Sequence, residues 1–365
     1  MSRPTLAMID LQALRDNFTL AQSLAADSQT MPMVKANAYG HGMVEVAQAL
    51  AEVAPAFGVA CIEEALVLRD AGICQPILLL EGTFSADEVN TAALKGLWLM
   101  VENHVQKEAV LNADIAQPVN VWLGVDTGMH RLGFPPEDVA AVYQSLSDSR
   151  NINDQIVVAS HFACAEDFAS DFTDQQMATF EQAVASIAST EQDQLKTSLA
   201  NSASILARPD SHRDWNRPGY MLYGASPFDH TQDNAAKLKP VMTLTSAVIS
   251  VRNIDVGEKV GYSGKWCAER PSTIATIGIG YGDGYPRSAP NGTPVLIKGI
   301  ECPLVGSVSM DMITVDVTDL EAVAIGDSVE LWGEQLPVNR VAEHCATLGY
   351  ELLTRMPLRV PRVYK

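Results

Sequence analysis

The sequence predicts a (β/α)8 barrel followed by a mostly-β domain, and three observations support this fold class. Short apolar runs recur about 27 residues apart between residues 31 and 224, which is the spacing of repeated βα units. The stretches between them carry apolar residues at helical spacing with charges in between. From about residue 240 the pattern changes to alternating β-branched and apolar residues, separated by Gly, Pro, Asn and Asp turns. We therefore expect a barrel over residues 1–233 and a β domain over residues 234–365.

Eight runs are candidates for the barrel strands, and eight parallel strands close such a barrel. They begin at Met31, Ala56, Pro76, Leu97, Val119, Ile156, Leu195 and Gly219. Functional groups of these barrels lie at the carboxyl ends of the strands, where Lys35, Asp126, His161 and Asn201 fall. In the second domain, the runs VMTLTSAVISV, PSTIATIGIG, TPVLIKGI and SVELWG predict further strands.

Composition argues against several kinds of partner. The 365 residues are 47% hydrophobic, which is enough for a large buried core. An excess of 44 acidic over 25 basic residues disfavours a nucleic-acid partner. Six cysteines without a CxxC pair and seven histidines without ligand spacing predict neither a disulfide framework nor a metal site. We expect a cytoplasmic protein without a membrane partner, because no apolar run approaches about 18 residues and no export signal opens the chain.

Lys35 is the strongest single candidate for a catalytic residue. It ends the short apolar run Met31–Val34 and is the only charged residue between Asp27 and Glu45. A lysine amine attacks an aldehyde when a rigid, dry pocket lowers its pKa from about 10.4. The sequence VKANAYGHG therefore predicts a Schiff-base lysine rather than a solvated surface side chain.

Five further motifs follow predicted strands or lie in turns. They are DTGMHRLGF with Arg131, SHFA with His161, NSASIL with Asn201, Ser202 and Ser204, WNRPGYMLYG with Arg217, Gly219 and Tyr220, and IGIGYGDGYPR with Tyr281 and Asp283. Singly, each has an ordinary explanation as a core histidine, an ion pair or a helix cap. The glycines of the last motif do not predict a dinucleotide loop, because Pro286 and Pro290 prevent the helix that such a loop requires. Together the motifs suit an aldehyde cofactor with a phosphate tail and a substrate carboxylate.

In this order the motifs resemble those of the pyridoxal-phosphate-dependent alanine racemases. The resemblance extends from Leu6 to the closing RVPRVY, and its most specific parts are VKANAYGHG, DTGMHRLGF, NSASIL, RPGYMLYG, GYGDGYPR and VSMDM. It implies an isomerase that interconverts L- and D-alanine with pyridoxal 5'-phosphate, as a homodimer with shared active sites. It also implies a role in the supply or breakdown of D-alanine for peptidoglycan metabolism, without deciding between the two.

The resemblance implies a role for individual residues. Lys35 is expected to hold the cofactor covalently and to act as one of two bases, while Tyr281 of the neighbouring subunit acts as the other. Arg217 is expected to face the pyridine nitrogen of the cofactor, and His161 to lie between Arg217 and Tyr281. The phosphate is expected to be bound by Tyr39, Ser202, the amides of Gly219 and Tyr220, and Tyr350. The substrate carboxylate is expected to be bound by Arg131 and the amide of Met310. Asp311 is expected to support these residues without contacting the substrate.

One position departs from the family pattern. Many members carry a carbamylated lysine seven residues before the arginine of DTGMHRLGF, and its negative charge orients that arginine. Here the position is Gly124, which cannot carry the modification. We expect activity that does not depend on carbamylation, with a bound anion, another acidic side chain or a changed rotamer positioning Arg131.

Three alternatives stay open. A non-catalytic pyridoxal-phosphate-binding protein shares the barrel and its lysine, yet lacks a second domain with GYGDGYPR and VSMDM. A decarboxylase of basic amino acids is expected to carry a glycine run where NSASIL stands and a cysteine with an acid where Ser309, Met310 and Asp311 stand. A racemase that also accepts serine or other amino acids differs only in pocket width, which a sequence does not give.

Overall fold

The computed structural model describes residues 3–153, 155–187 and 195–365. Eight short parallel strands follow the N-terminal strand β1 (Leu6–Ile9) and form the barrel. They are β2 (Gln29–Thr30), β3 (Phe57–Val59), β4 (Ile77–Leu79), β5 (Leu97–Val101), β6 (Asn120–Gly124), β7 (Val157–Ala159), β8 (Lys196–Ser198) and β9 (Trp215–Asn216). Their order is β2-β9-β8-β7-β6-β5-β4-β3. The ring closes where Met33 pairs in parallel with Gly58.

Helices separate these strands and cover the outside of the barrel. They span Leu11–Leu24, Met43–Leu50, Ile62–Asp70, Asp87–Lys95, His104–Leu111, Val139–Ser147, Phe172–Ala185 and Ser202–Ala207. Asp10 begins the first of them by accepting a hydrogen bond from the Ala13 N–H at 2.9 Å. The barrel strands are continuous apolar runs because successive side chains point to opposite faces of the sheet and both faces are buried. One set packs inside the barrel and the other packs under the helices. The inner set includes Met31, Leu78, Met100 and Trp122.

A second, mostly antiparallel sheet follows the barrel, so the predicted fold class is confirmed. The strands in this part of the chain are β10 (Met242–Ile254), β11 (Lys259–Val260), β12 (Trp266–Cys267), β13 (Ser272–Ile277), β14 (Pro294–Ile297), β15 (Ile300–Pro303), β16 (Ile313–Asp316), β17 (Ser328–Trp332) and β18 (Arg362–Tyr364), with helices at Val338–His344 and Gly349–Thr354. Strands β11 and β12 form a separate hairpin. The long β10 is the hub, since it pairs with β1, β13 and β17.

Two strands differ from the sequence-based expectation. The eighth barrel strand was expected to begin at Gly219, whereas β9 is Trp215–Asn216 and Tyr220–Tyr223 form a 3-10 turn. Pro218 lies between them and has no N–H to continue a ladder. The N-terminal strand β1 was placed in the barrel with the rest of residues 1–233, yet it pairs with β10 and β18 of the second sheet. The boundary after residue 233 itself stays a prediction.

No helix in the described part of the chain combines the length and apolarity needed to cross a membrane.

Candidate active site

Lys35 begins an unusual turn at the carboxyl end of the first barrel strand. The four residues Ala36–Tyr39 all have φ between 50° and 53°, which is the left-handed region that side chains with a Cβ disfavour. Glu64 holds the turn, because one carboxylate oxygen accepts a hydrogen bond from the Ala36 N–H at 2.6 Å and the other accepts from Ala60 at 2.9 Å. Such strain persists only where surrounding contacts fix the backbone. The turn therefore presents Lys35 in one fixed direction.

The C-terminal segment fixes the other side of this turn. Arg362 donates a hydrogen bond from Nε to the Gly40 carbonyl at 2.8 Å, and the Tyr364 hydroxyl donates to the His41 carbonyl at 3.2 Å. His41 is fully buried, and burial lowers its pKa to about 4, so it packs as a neutral ring. The second sheet thus supports the lysine of the barrel within one chain.

We expect Gly40→Ala to destabilise the protein strongly. Gly40 has φ of 83°, and a Cβ there would lie 2.0 Å from the Leu353 carbonyl oxygen, a backbone atom that cannot rotate away. The combined strain and overlap should cost about 3 kcal/mol or more in urea unfolding. Gly72→Ala is the matched control, because Gly72 has φ of 85° and nothing within 4 Å of its Cβ position. It should cost about 1 kcal/mol, and equal losses in both variants would contradict the proposed overlap.

The Lys35 amine lies among charges of both signs. Burial lowers the pKa of Lys35, and Arg131 and Arg217 lower it further, while Glu81 and Glu64 oppose the shift. A lowered pKa increases the fraction of neutral amine, which is the form that attacks a carbonyl or accepts a proton. The prediction that this lysine sits in a pKa-lowering pocket agrees with this environment.

Arg217 lies at the end of β9 and is almost completely buried. Its guanidinium donates to the Ser198 hydroxyl, to the Ser160 carbonyl at 2.5 Å and to the Leu199 carbonyl at 3.3 Å. Burial lowers the pKa of Arg217 to about 10, while Glu102 opposes the shift. The side chain therefore stays a cation at neutral pH, rigidly held by oxygens from β7 and β8.

His161 follows β7 and faces the same cations. The residue is exposed to solvent. Desolvation lowers the pKa of His161, and Arg217, Arg131 and Lys35 lower it further. His161 therefore shares a cluster with Lys35 and Arg217 as a neutral imidazole. Its predicted link to Tyr281 stays a prediction.

A group of hydroxyls surrounds a narrow space beside Gly219. A Cβ at Gly219 would lie 2.5 Å from the Tyr39 hydroxyl. The Ser202 hydroxyl oxygen accepts hydrogen bonds from the N–H groups of Gly219 at 2.9 Å and Met221 at 3.2 Å, which leaves its proton free to be donated. The Tyr350 ring stacks on Tyr220 with centroids 3.6 Å apart. The Gly219 amide, which was expected to bind an anion directly, is instead bonded to Ser202.

This cradle suits a phosphate group. The Tyr39 and Ser202 hydroxyls both lie beside Gly219, where the absence of a side chain leaves room for an anion. Burial raises the pKa of Tyr39 to about 12, so its hydroxyl keeps the proton that it would donate. Asn339, which the sequence did not single out, accepts a hydrogen bond from the Tyr220 hydroxyl at 2.5 Å and so fixes the ring that supports Tyr350.

Tyr281 belongs to a second cluster, in the second sheet. Its N–H donates to the Ser309 carbonyl at 3.0 Å, and the N–H of Gly282 donates to the Met310 carbonyl at 2.9 Å, so the two loops lie side by side. The residues Tyr281 and Met310 are 41% and 53% exposed. In the described ranges, no hydrogen bond, ion pair or ring contact joins Tyr281 to Lys35 of the same chain.

The buried acid Asp283 and two arginines hold this second cluster together. Asp283 is fully buried and accepts a hydrogen bond from the Gly280 N–H at 2.9 Å. Arg3 and Arg359 both pair with it, Arg359 through Nε at 3.0 Å. Arg359 also binds the predicted Asp311 at 2.7 Å, and the supporting role expected of Asp311 stays a prediction. The ion-pair network gives the exposed Tyr281 a rigid backbone.

The structure thus groups the predicted residues in two sets. Lys35, Tyr39, His161, Ser202, Arg217, Gly219, Tyr220 and Tyr350 lie near the barrel mouth, together with Arg131, while Tyr281, Met310 and Asp311 lie on the second sheet. Sequence reasoning missed the acids Glu64, Glu81 and Glu102. Each follows a barrel strand by a few residues, so the rule used for Lys35 and His161 could have found them.

Comparisons with known proteins agree with this architecture. The model of the alanine racemase N-terminal domain matches residues 9–227, and that of the C-terminal domain matches residues 241–364. The chain is 49% identical to an alanine racemase of Chromohalobacter salexigens over 366 residues, covering 100% of this chain and 99% of the relative.

Solved structures give the same result. The biosynthetic alanine racemase of Pseudomonas aeruginosa superposes with a TM-score of 0.94 at 46% identity, covering 100% of this chain and 99% of that one. An alanine racemase of Bartonella henselae with covalently bound pyridoxal phosphate has a TM-score of 0.88 at 33% identity, with 99% of both chains covered. This chain belongs to the alanine racemase family.

Proposed function

We propose that the chain interconverts L- and D-alanine through two bases, Lys35 and Tyr281, with pyridoxal 5'-phosphate as cofactor in a homodimer. The observation that carries this proposal is the fixed, pKa-lowered Lys35 beside the buried cation Arg217 at the mouth of the barrel. Relatives and neighbours named alanine racemases, one of them described with covalently bound pyridoxal phosphate, support the reaction and the cofactor.

Lys35 is proposed both to hold the cofactor and to move a proton. Pyridoxal phosphate, when bound, supplies an electron-withdrawing ring that acidifies the Cα proton of an amino acid. The neutral amine of Lys35 then accepts or returns this proton on one face of the substrate. The strained turn over Ala36–Tyr39 supports this role, since it fixes the direction from which the amine approaches.

Arg217 is proposed to face the ring nitrogen of the cofactor. A guanidinium donates hydrogen bonds and accepts none, so the ring nitrogen would act as acceptor and stay largely unprotonated. The ring then withdraws electrons less strongly than one paired with a carboxylate. This favours return of the proton to Cα over transfer elsewhere, which suits a racemase.

Phosphate and carboxylate groups are proposed to bind at opposite ends of the site. Tyr39, Ser202, Tyr350 and the Tyr220 amide hold the phosphate, while Gly219 allows its close approach. Arg131 and the Met310 amide hold the substrate carboxylate. Alanine is the proposed substrate, with serine as a weaker second one. A part in peptidoglycan metabolism is a proposal that rests on this reaction.

Tyr281 is proposed to act in the site of the neighbouring subunit. It is exposed and lies in a different cluster of its own chain from Lys35, while its backbone is firmly held. A rigid loop that carries an exposed phenol suits a contact with a second copy of the chain. Two opposed bases then serve both enantiomers, since each removes the proton that the other returns.

We expect purified protein loaded with pyridoxal phosphate to convert either alanine enantiomer into the other in a chiral assay. In heavy water, deuterium should appear at Cα of recovered alanine, since each turnover passes the proton through Lys35 or Tyr281. Borohydride should fix the cofactor to the Lys35 peptide, found by mass spectrometry. An intact loaded protein that leaves both enantiomers unchanged and incorporates no deuterium would contradict the proposal and favour a non-catalytic cofactor-binding protein.

A further inference from the structure

Glu102 is a buried acid at the mouth of the barrel with no role assigned so far. It follows β5 directly and is 8% exposed. Its N–H donates to Gln106 Oε1 at 2.8 Å, and Asn103 begins the next helix by accepting from the Gln106 N–H at 3.0 Å. The backbone of Glu102 is therefore fixed by the helix that follows. Its side chain is directed away from that helix, toward the neighbouring strand β6.

Gly124, the last residue of β6, leaves the room that this carboxylate occupies. A Cβ at Gly124 would lie 1.8 Å from Glu102 Oε2 and 2.6 Å from its Cδ. Val101 pairs with Leu123 in the parallel ladder, so Glu102 and Gly124 are the next residues along two adjacent strands. The glycine and the acid thus fit each other, and any larger residue at position 124 would displace the carboxylate.

Two arginines act on Glu102 electrostatically. Burial raises the pKa of Glu102 to about 7, whereas Arg217 and Arg131 lower it. Glu102 in turn raises the pKa of Arg217. Arg217 is already held by oxygens from β7 and β8, while Arg131 is exposed on the loop after β6. Arg131 is therefore the partner that a fixed negative charge could still orient.

We propose that Glu102 is a positioning residue for Arg131, a carboxylate placed over Gly124 that orients the guanidinium for the substrate carboxylate. The inference rests on the proposed function, in which Arg131 binds alanine. It specifies that the negative charge comes from an ordinary side chain of the adjacent strand. Neither carbon dioxide nor an added anion is then needed for Arg131 to adopt its binding position.

The test compares Glu102→Gln with wild type, both loaded with cofactor. Without the charge, Arg131 should lose its preferred orientation, and KM for L-alanine should rise about tenfold with a smaller change in kcat. The matched control is Glu108→Gln, an exposed acid on the helix that follows Glu102, which should keep the wild-type KM. An unchanged KM in Glu102→Gln would overturn the proposal.

A pH series separates positioning from mere structural support. Because the raised pKa of Glu102 means that its charge is lost as pH falls through about 7, the wild-type KM should increase below that pH. Arg131 and Arg217 face Glu102, and guanidinium groups keep their charge in this range. His161 and Lys35 also lie at the barrel mouth, and any effect of their own titration on KM should appear in both wild type and Glu102→Gln. Glu102→Gln should lack this increase in KM. The same dependence of KM on pH in wild type and variant would contradict the proposal.

Chemical rescue completes the test. Glu102→Ala opens a space beside Gly124, and formate should enter it and lower KM toward the wild-type value, while sulfate at equal ionic strength should not. Wild type should also keep its turnover in buffer freed of carbon dioxide and bicarbonate. A folded, cofactor-loaded Glu102→Ala protein that ignores formate would count against the role of Glu102. If wild type itself does not racemise alanine, the proposed function fails, which is a distinct result.

Discussion

Lys35→Ala is expected to lower alanine racemisation by about four orders of magnitude or more, since positioned proton transfer alone contributes roughly 10²–10⁴-fold. The variant lacks the side chain that is proposed to anchor the cofactor and to act as the base on one face of the substrate. Chiral product analysis at saturating L-alanine measures the loss. Borohydride should no longer fix the cofactor to the protein.

Two controls make this result specific. Lys95→Ala removes a lysine from the last turn of the helix Asp87–Lys95, which precedes β5 and so lies at the strand end opposite to the site, and it should keep wild-type turnover. Urea unfolding should show little loss for Lys35→Ala, because burial and the neighbouring arginines disfavour the charged amine that the substitution removes. If the folded Lys35→Ala protein kept more than about one hundredth of the activity, Lys35 would not be the base.

Mixing inactive Lys35→Ala with inactive Tyr281→Ala subunits is expected to restore about one quarter of the wild-type activity. Random exchange makes about half of the dimers hybrids, and each hybrid has one site with both bases and one with neither. The expectation follows from the separate clusters of Lys35 and Tyr281 within one chain. Activity is measured after subunit exchange has been verified by native mass spectrometry.

The matched control mixes Lys35→Ala with Arg131→Ala. Both residues belong to the barrel cluster of a single chain, so each site of a hybrid carries one defect and recovery should be absent. Recovery in this control would mean that the sites are not divided between subunits as proposed. Lack of recovery in the first mixture, after confirmed exchange, would contradict the shared site.

The fold could be predicted because buried strands and helices have recognisable patterns of apolar residues in the sequence. Parallel strands covered on both faces are continuous apolar runs, and β3 to β8 all fall inside the predicted ones. The two differences from the predicted fold, in the eighth barrel strand and in β1, also have local causes. Pro218 interrupts the run that was expected to form the eighth strand, and β1 has a short apolar pattern that fits either sheet. Only pairing with β10 and β18 assigns β1 to the second sheet.

The candidate site could be predicted in part. Lys35 stood out because a charged group at the end of an apolar strand has few structural explanations, whereas Arg217 was assigned only through the set of motifs and the family resemblance. Arg3, Arg359 and Arg362 did not stand out, because the partners described above lie far away along the chain, from 48 residues between Arg359 and Asp311 to 322 residues between Arg362 and Gly40. Arg3 pairs with Asp283, and Arg362 donates to the Gly40 carbonyl. Distances between such positions are set by chain topology, which periodicity does not encode.

The sequence by itself determined the class of fold and the family and singled out Lys35 as the candidate nucleophile, because hydrophobic periodicity and the order of motifs are local properties of the chain. Only the tertiary structure decided that Glu102 fills the space beside Gly124, and that Lys35 and Tyr281 lie in different clusters. Electrostatic coupling and steric fit depend on distances between side chains from separate strands. Those distances exist only once the barrel has closed and the second sheet has packed against it.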